Sequence, residues 1–221
     1  MDFRNILTVK NLSKRYSKTQ SKDTLDSINL TVTQGSTIAL TGESGSGKST
    51  FLNIMAGLEP PSSGEVFFNE VSLWKMTESN RSKYRRSELS IIFQNFNLIN
   101  SLTVWENISF QAKLSGKWNS TFAEDLLKET GLIKIRNSYP DQISGGEQQR
   151  VAILRSIVAK PKLLLADEPT GNLDDQNSEI ITDLLLRLVA EVGSTLIVAT
   201  HSQSFASKLN KTLSLKNGRL N

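Results

Sequence analysis

The sequence predicts an α/β fold with a mostly parallel sheet, an antiparallel β region near its start and an inserted helical part. The apolar runs 163–166 and 195–199 lack alternation, which is typical of strands buried on both faces of a parallel sheet. Strand patterns alternate with helical patterns, and 221 residues suffice for one domain with an inserted subdomain. The expected limits are a single domain over 1–221, a core at about 1–95 and 160–221, and a helical subdomain at about 96–159.

Each predicted element follows from hydrophobic periodicity and from the turn and capping residues around it. Alternation of apolar and polar residues indicates half-buried strands near the start of the chain. Strands are predicted at 6–10, 28–33, 37–41, 65–68, 89–93, 163–166, 195–199 and 211–215. Helices are predicted at about 48–56, 104–114, 121–130, 145–159 and 175–191. Thr103 and Ser120 are the expected caps of the second and third helices, and Gly193 is expected to end the last.

The composition excludes several classes of protein. The chain contains no cysteine, which rules out disulfides and thiolate metal sites. No stretch approaches the roughly 20 apolar residues that a spanning helix needs. Residues 1–5 lack the apolar core of a signal peptide. If the protein acts at a membrane, we expect it to do so through another chain.

The charge is nearly balanced, with 26 Lys and Arg against 22 Asp and Glu. Nucleic-acid binding requires basic residues gathered on one face, and only Arg81, Lys83, Arg85 and Arg86 form an obvious cluster. We interpret this cluster as a solvated face. The alternative is a contact with an acidic partner or with lipid headgroups, and no nucleic-acid partner is expected.

A glycine-rich loop lies between the predicted strand at 37–41 and the helix at 48–56. Its sequence, Gly-Glu-Ser-Gly-Ser-Gly-Lys-Ser, matches the phosphate-loop pattern G-x-x-x-x-G-K-[ST] in full and in the required context. Backbone N–H groups and the start of the helix would hold phosphates, with Lys48 adding a full charge and Ser49 binding Mg²⁺. We therefore predict a P-loop nucleotide-binding core. The residues expected to bind the nucleotide here are Gly42, Glu43, Ser44, Gly45, Ser46, Gly47, Lys48, Ser49 and Thr50.

An acidic pair follows the buried strand at 163–166. Asp167 should emerge at the carboxyl edge of the sheet, where ligands of such folds bind, and is expected to hold Mg²⁺, through water. Glu168 comes next, and side-chain alternation predicts that it points the other way. Its expected role is to orient or deprotonate the attacking water. The alternative is a solvated pair at a strand end.

The run Ile-Ser-Gly-Gly-Glu-Gln-Gln-Arg at 143–150 resembles the signature loop of ABC-type ATPases, and the resemblance spans essentially the whole chain. Ile143 and Glu147 stand where the family usually has Leu and Gln. The resemblance implies ATP as the cofactor and an ATP-dependent head-to-tail homodimer, in which this loop meets the γ-phosphate bound to the other copy. The residues concerned are Ser144, Gly145, Gly146 and Glu147.

Four further positions resemble functional residues of that family. Tyr16 resembles the aromatic residue that stacks on adenine, Gln94 the glutamine that touches Mg²⁺, and Asp174 part of a loop that signals across the dimer. His201, the only histidine, resembles the switch histidine that contacts the γ-phosphate. The alternatives are structural: an ordinary half-buried tyrosine, a polar strand end and a structural histidine.

Finer features resemble the lipoprotein-releasing and macrolide-exporter branch, namely Glu147 and the runs 93–98 and 170–174. This implies a separate integral membrane permease subunit and a peripheral position on the cytoplasmic face of the cell membrane. Export, extraction or mechanical coupling across the membrane is the expected work. The main alternative is an ATPase that regulates an extracellular enzyme through a membrane partner, as in a cell-division relative. Ribosomal ABC proteins usually carry two cassettes, and DNA-repair ATPases carry long coiled coils, which the interval 50–143 lacks.

Overall fold

The computed structural model describes residues 4–17 and 23–221, so the expectation for residues 1–5 falls partly outside the described residues. The strands are β1 (Asn5–Lys14), β2 (Leu25–Thr33), β3 (Thr37–Thr41), β4 (Ser63–Phe68), β5 (Val71–Ser72), β6 (Leu89–Ile92), β7 (Leu163–Asp167), β8 (Thr195–Ala199), β9 (Lys211–Lys216) and β10 (Arg219–Leu220). The helices are α1 (Lys48–Met55), α2 (Glu78–Ser87), α3 (Val104–Leu114), α4 (Ser120–Glu129), α5 (Gly145–Val158), α6 (Asp175–Val192) and α7 (Gln203–Ser207).

Two sheets form the framework of the described residues. The first is antiparallel, in the order β2-β1-β4-β5. The second is mostly parallel, in the order β10-β9-β3-β8-β7-β6, with only β10 antiparallel to its neighbour. The α/β fold with a parallel sheet and an antiparallel N-terminal region is therefore confirmed. Because β3, β8 and β7 are neighbours, their carboxyl ends meet at one edge of the sheet.

The parallel sheet separates two hydrophobic cores. Alternate residues of β7 face opposite sides, so Leu164 packs with the helices α3–α6 while Leu163 and Leu165 pack with the antiparallel sheet and α1. All three leucines have no exposed surface. This two-sided burial explains why the predicted strands at 163–166 and 195–199 carry no polar alternation.

Each predicted strand overlaps an observed one, and the predicted helices begin within a residue of the observed ones. Thr103 caps α3 as predicted, by accepting a hydrogen bond from the backbone N–H of Glu106. The predicted cap Ser120 is wrong by one residue, because the side chain of Asn119 accepts from the Phe122 N–H and caps α4 instead.

Helix α2 is the largest element that the pattern did not predict. Its only buried residue is Tyr84, so it has no apolar stripe from which a helix could be recognised. It also contains the basic cluster. Arg81 and Arg85 form ion pairs with Glu78, and Arg85 donates to the carbonyl of Gly57, 2.7 Å away. These two arginines therefore hold α2 in place, whereas Lys83 and Arg86 are exposed, as a solvated face requires.

No helix in residues 4–17 and 23–221 combines the length and the apolar character needed to cross a bilayer.

Candidate active site

A cavity of about 470 Å³ lies at the carboxyl edge of the parallel sheet, where β3, β7 and β8 end. It is lined by Thr24, Ser44, Gly45, Gly47, Lys48, Ser49, Thr50, Gln94, Asp167, Glu168, Gly171 and His201. A larger depression of about 600 Å³ lies around Arg15, Asp26 and Arg219. Its charges already pair with one another, as in the contact of 2.8 Å between Arg219 and Asp26, so we regard the smaller cavity as the site.

The phosphate loop connects β3 to α1 through backbone torsions that favour glycine. Gly47 has φ of 102° and stands immediately before the helix. A Cβ atom on Gly47 would lie 2.9 Å from Leu25 Cδ2 and 3.0 Å from the carbonyl oxygen of Thr24. Loop and β2 thus pack at a distance that only glycine permits. Gly42, Glu43 and Ser46 do not line the cavity, and the last two face an adjoining hollow of about 270 Å³.

The start of α1 differs from the starts of the other helices. A side chain caps each of the other six helices of the described chain, at Thr77, Thr103, Asn119, Ser144, Asp174 and Ser202. Helix α1 has no such cap, so its first N–H groups keep their donor capacity beside the cavity. A helix start of this kind attracts anions. The hydroxyl of Ser46 in the same loop is buried, and among the described residues it has no hydrogen-bond partner.

The ammonium group of Lys48 lies inside the loop. It donates to the carbonyls of Gly42 and Glu43, at 2.9 Å and 3.1 Å, and lies 3.1 Å from Nε2 of His201. Only 6% of Lys48 is exposed. The predicted cation of the phosphate loop is therefore buried. It is held by two carbonyl groups of the loop itself.

The His201 ring lies between Lys48 and Glu168. Its Nε2 atom is 3.1 Å from Oε1 of Glu168, while the backbone N–H of His201 donates to Oε2 at 3.2 Å. One Nε2 atom cannot both accept from Lys48 and donate to Glu168. Within the described residues, Oε1 of Glu168 has no hydrogen-bond partner of good geometry. The carboxylate of Glu168, which lines the cavity, thus has one buried oxygen whose neighbour among the described residues is the His201 ring.

The prediction that Glu168 points away from Asp167 is wrong, because Glu168 is not part of the strand. Strand β7 ends at Asp167, and Glu168 has a left-handed backbone with φ of 46°. The alternation of a strand no longer applies there. Both carboxylates consequently line the same cavity, and the backbone N–H of Glu168 donates to the carbonyl of Ala199, 2.9 Å away.

Three side chains with oxygen atoms suitable as Mg²⁺ ligands line the cavity. Ser49 supplies a hydroxyl, Gln94 an amide oxygen and Asp167 a carboxylate. Mg²⁺ prefers oxygen ligands, keeps several waters and is commonly shared with substrate phosphates. No group of three His, Asp or Glu in the described part of the chain could hold a metal without such help. The residues therefore fit a magnesium ion held jointly with a nucleotide.

Two lining residues escaped the sequence interpretation. Thr24 precedes β2 and reaches the cavity only because β2 packs on the phosphate loop. Gly171 packs against Gln94 and Glu168, where a Cβ atom would be 3.4 Å from each side chain. No local pattern marks either residue as part of the site, although Gly171 belongs to the run 170–174, which resembles the lipoprotein-releasing branch.

Tyr16 lies beside the cavity at the end of β1. Its hydroxyl is 3.0 Å from the hydroxyl of Thr50 and donates to Glu59, also at 3.0 Å. Burial raises the pKa of the phenol, with a further contribution from Glu59. The residue is 56% exposed. Its aromatic ring thus lies next to the phosphate-loop helix, with the ammonium group of Lys14 5.0 Å from the ring centre.

The signature residues lie outside this cavity, at the start of α5. The side chains of Ser144 and Glu147 form a capping box, in which the carboxylate accepts from the Ser144 N–H at 2.8 Å and from its hydroxyl at 2.7 Å. These two bonds hold the pKa of Glu147 below its usual range, and the bond from the Ser144 hydroxyl contributes most. Ser144 and Gly145 are exposed and Gly146 is half-buried.

Asp174 also lies outside the cavity and caps α6. It accepts from the backbone N–H of Asn177 at 3.0 Å and from the side-chain amide of Asn177 at 2.6 Å. These bonds lower the pKa of Asp174. A Cβ atom on Gly146 would lie 3.7 Å from Oδ1 of Asn177, so Asp174 and the signature loop are neighbours. The predicted residues thus fall into two groups. One group is at the cavity, and the other, which consists of the signature residues and Asp174, lies outside it.

Comparison with known proteins identifies the relatives of this chain. The family described as ABC transporter matches residues 25–171. An uncharacterised ABC transporter ATP-binding protein of Mycobacterium tuberculosis is 42% identical, over 100% of this chain and 90% of the relative. The lipoprotein-releasing system ATP-binding protein LolD of Treponema denticola is 39% identical, over 98% of each. A dimeric ATP-binding cassette bound to ADP and phosphate has a TM-score of 0.87 at 34% identity, covering 97% of this chain and 96% of that one.

Proposed function

Because the chain belongs to the ABC transporter family, as a subunit that binds and hydrolyses ATP, we propose that it powers export, extraction or mechanical coupling through a separate membrane subunit. The observation that carries the proposal is the division of the predicted residues between two surfaces. Lys48, Glu168 and His201 line one cavity, whereas Ser144 and Gly146 lie outside it and Ser144 is exposed. In a dimer, each chain would then contribute the phosphate loop to one ATP site and the signature loop to the other. We assign the whole chain, 1–221, to one ATPase domain with a helical subdomain at about 96–159.

Nucleotide binding rests on the phosphate loop. The N–H groups at the start of α1 donate to phosphate oxygens, and Lys48 turns from its loop carbonyls toward the β- and γ-phosphates. Tyr16 stacks on the adenine ring. Ser49, Gln94 and Asp167 would hold Mg²⁺, and the bound ion would supply positive charge that offsets the charge of the phosphates.

Hydrolysis requires a positioned water molecule. Oε1 of Glu168 has no hydrogen-bond partner of good geometry among the described residues, and in the proposed mechanism this atom orients the water and takes its proton. His201 contacts the γ-phosphate from the end of β8. Lys48 stabilises the charge that develops on the transferred group. The His201 ring contacts both Lys48 and Glu168, so the loss of this ring would disturb the other two side chains.

The dimer is the second part of the proposal. Each ATP is completed by Ser144, Gly145, Gly146 and Glu147 of a second copy, arranged head to tail. Asp174 lies beside that loop and reports across the interface. The relative with known structure that is described as dimeric and bound to ADP and phosphate supports this arrangement.

The membrane subunit would dock on a groove of about 520 Å³ between α2 and α3. Phe110 and Leu114 on its wall are 41% and 56% exposed, which is high for apolar side chains on neighbouring turns. Arg155 of α5 lines the groove and donates to the carbonyls of Phe96 and Asn97, at 3.0 Å and 2.7 Å. Burial lowers the pKa of Arg155. Docking would thus act on the segment after Gln94 and, through α5, on the signature loop.

The lipoprotein-releasing branch is supported by relatives that carry that name and by Glu147 in the signature loop. Such a role implies a peripheral position on the cytoplasmic face of the cell membrane.

A complementation experiment tests the dimeric site. Lys48→Ala removes the cation of the phosphate loop in one copy. Ser144→Arg places a bulky side chain at the signature loop in the other. In a head-to-tail dimer, mixing the two inactive variants creates mixed dimers with one intact site, so about a quarter of the wild-type ATPase rate should return. If both parts act within one chain, no activity returns. Circular dichroism of each variant alone verifies that it is folded.

Affinity purification from detergent-solubilised membranes tests the membrane partner. One polytopic membrane protein should accompany the tagged chain, and Phe110→Asp should abolish its recovery without loss of ATP binding. If that partner instead binds an extracellular enzyme and contains no substrate path, the regulatory alternative holds. Recovery of no membrane protein contradicts both.

A further inference from the structure

A network of polar side chains holds Tyr16 against the phosphate-loop helix. The phenol donates to Oε2 of Glu59 at 3.0 Å, so the hydroxyl of Thr50, also 3.0 Å away, must donate to the phenol oxygen. Thr50 belongs to α1 and lines the cavity. The end of β1 is therefore tied directly to the helix that starts at the phosphate loop.

Glu59 is itself held from the other side. Its Oε1 atom pairs with the ammonium group of Lys14, 2.9 Å away, and Lys14 also donates to the carbonyl of Pro60 at 2.7 Å. The same ammonium group lies 5.0 Å from the centre of the Tyr16 ring. Only 11% of the Lys14 side chain and 24% of the Glu59 side chain are exposed, so water screens this pair less than a surface ion pair.

The turn that carries Glu59 is fixed to β1 through its backbone. The N–H of Ser62 donates to the carbonyl of Ser13 at 2.8 Å, and the N–H of Arg15 donates to the hydroxyl of Ser62 at 3.0 Å. Both carboxylate oxygens of Glu59 thus face donors that cannot move away easily. The carboxylate has a fixed position, and the phenol is aligned by it.

We propose that Glu59 is a positioning residue for ATP binding, which acts by fixing the ring of Tyr16 in the orientation that receives the base. This rests on the proposed function, in which Tyr16 stacks on adenine. A ring aligned before binding loses less conformational freedom when the nucleotide arrives, and this lowers the KM for ATP. The chemical step takes place at the other end of the nucleotide and does not involve Glu59.

Glu59→Gln tests the proposal with the smallest change of shape. A glutamine has one acceptor oxygen, so its NH₂ group must face either the phenol or the ammonium group of Lys14. Steady-state ATPase assays should show a KM raised about two- to tenfold, the value of one hydrogen bond, and a kcat unchanged within about twofold. Loss of folded protein would lower kcat and leave KM as it is, so a merely structural role gives the opposite pattern.

Tyr16→Phe and the double variant show whether Glu59 acts through the phenol. Tyr16→Phe keeps the ring but removes the hydroxyl, and we expect it to raise KM as Glu59→Gln does. Because both changes break one connection, the double variant should have the KM of Tyr16→Phe alone. Two effects that multiply in the double variant would overturn the proposal.

Glu65→Gln is the matched control. Glu65 pairs with Lys75 at 2.5 Å, on a strand of the same antiparallel sheet and away from the cavity. Its KM should equal that of the wild type. If Glu59→Gln also leaves KM unchanged while the wild type hydrolyses ATP, the positioning role of Glu59 is refuted and the ATPase remains. If the wild type shows no ATP hydrolysis that Lys48→Ala removes, the proposed function itself fails.

Discussion

Two helix starts carry the residues expected to meet phosphate, and they are built in opposite ways. Helix α1 begins after Gly47 with no side-chain cap and faces a cavity of its own chain. Helix α5 begins with the Ser144–Glu147 capping box and faces outward. The first N–H groups of α1 have no side-chain acceptor, whereas at α5 the N–H groups of Ser144 and Glu147 have side-chain acceptors. In the proposed dimer, the first helix start belongs to the half-site that the chain forms itself, and the second to the half-site that a partner completes.

The largest effect should come from the half-site that carries the chemistry. Glu168→Gln retains the size of the side chain but removes the base, so we expect phosphate release to fall by about 10²- to 10⁴-fold. ATP binding should persist, and the dimer should outlast its normal cycle because the bridging γ-phosphate stays. Phosphate-release assays and size-exclusion chromatography with ATP measure the two results.

Glu179→Gln, on the exposed face of α6, serves as the control for that variant, since Glu179 contacts only Lys208, 3.7 Å away, among the pairs formed by described residues. It should hydrolyse ATP at the wild-type rate. Normal phosphate release by Glu168→Gln would remove this residue from the catalytic group.

A smaller effect is expected on binding alone. Lys48→Ala removes the formal positive charge of the phosphate loop, and a hydrogen bond to a charged group has a value that corresponds to about a ten- to hundredfold loss of ATP affinity. Isothermal titration calorimetry measures it. Lys75→Ala, on an exposed ion pair, should bind ATP normally. An unchanged affinity of Lys48→Ala would show that the N–H groups of α1 suffice.

The smallest effect should come from the outward helix start. Glu147 places a carboxylate, held ionised by its lowered pKa, at the point where a partner's γ-phosphate would arrive. Glu147→Gln keeps a capping box but removes the negative charge. In a Glu168→Gln background, the dimer should then form at an ATP concentration about two- to fivefold lower. Sedimentation velocity at a series of ATP concentrations measures this.

Glu106→Gln supplies the matching control, since Thr103 and Glu106 form the same capping box at the start of α3. It should not alter the ATP concentration for dimerisation. A higher requirement in Glu147→Gln, or equal behaviour of the two variants, would mean that the Glu147 charge does not oppose the phosphate.

The fold was largely predictable from the sequence, because the parallel strands are buried on both faces and the helices α3, α5 and α6 carry strong caps. Helix α2 was not, since its stability comes from Tyr84, Glu78 and two arginines rather than from an apolar stripe. Short elements such as α7 and β10 give too few residues for any periodicity.

The site divides in the same way. Motif residues such as Lys48, Asp167 and His201 lie in contiguous patterns, and the topology brings their strand ends together. Thr24 and Glu59 owe their places to packing between segments that are distant in sequence, which no local pattern records. The turn of Glu168 into the cavity depends on one left-handed residue, which a strand rule cannot foresee.

The position of β3 between β8 and β9 also determines when the parallel sheet can be completed during synthesis. The strand that leads into the phosphate loop pairs on one side with Thr195–Ala199 and on the other with Lys211–Lys216. About 170 residues separate the end of β3 from the start of β9, which at 5–20 residues per second leaves roughly 10 to 35 s of synthesis with that edge unpaired. An unpaired edge invites association with other chains. The sheet that carries the phosphate loop is therefore completed only after Lys211–Lys216 has been synthesised, and its open edge is exposed to other chains until then.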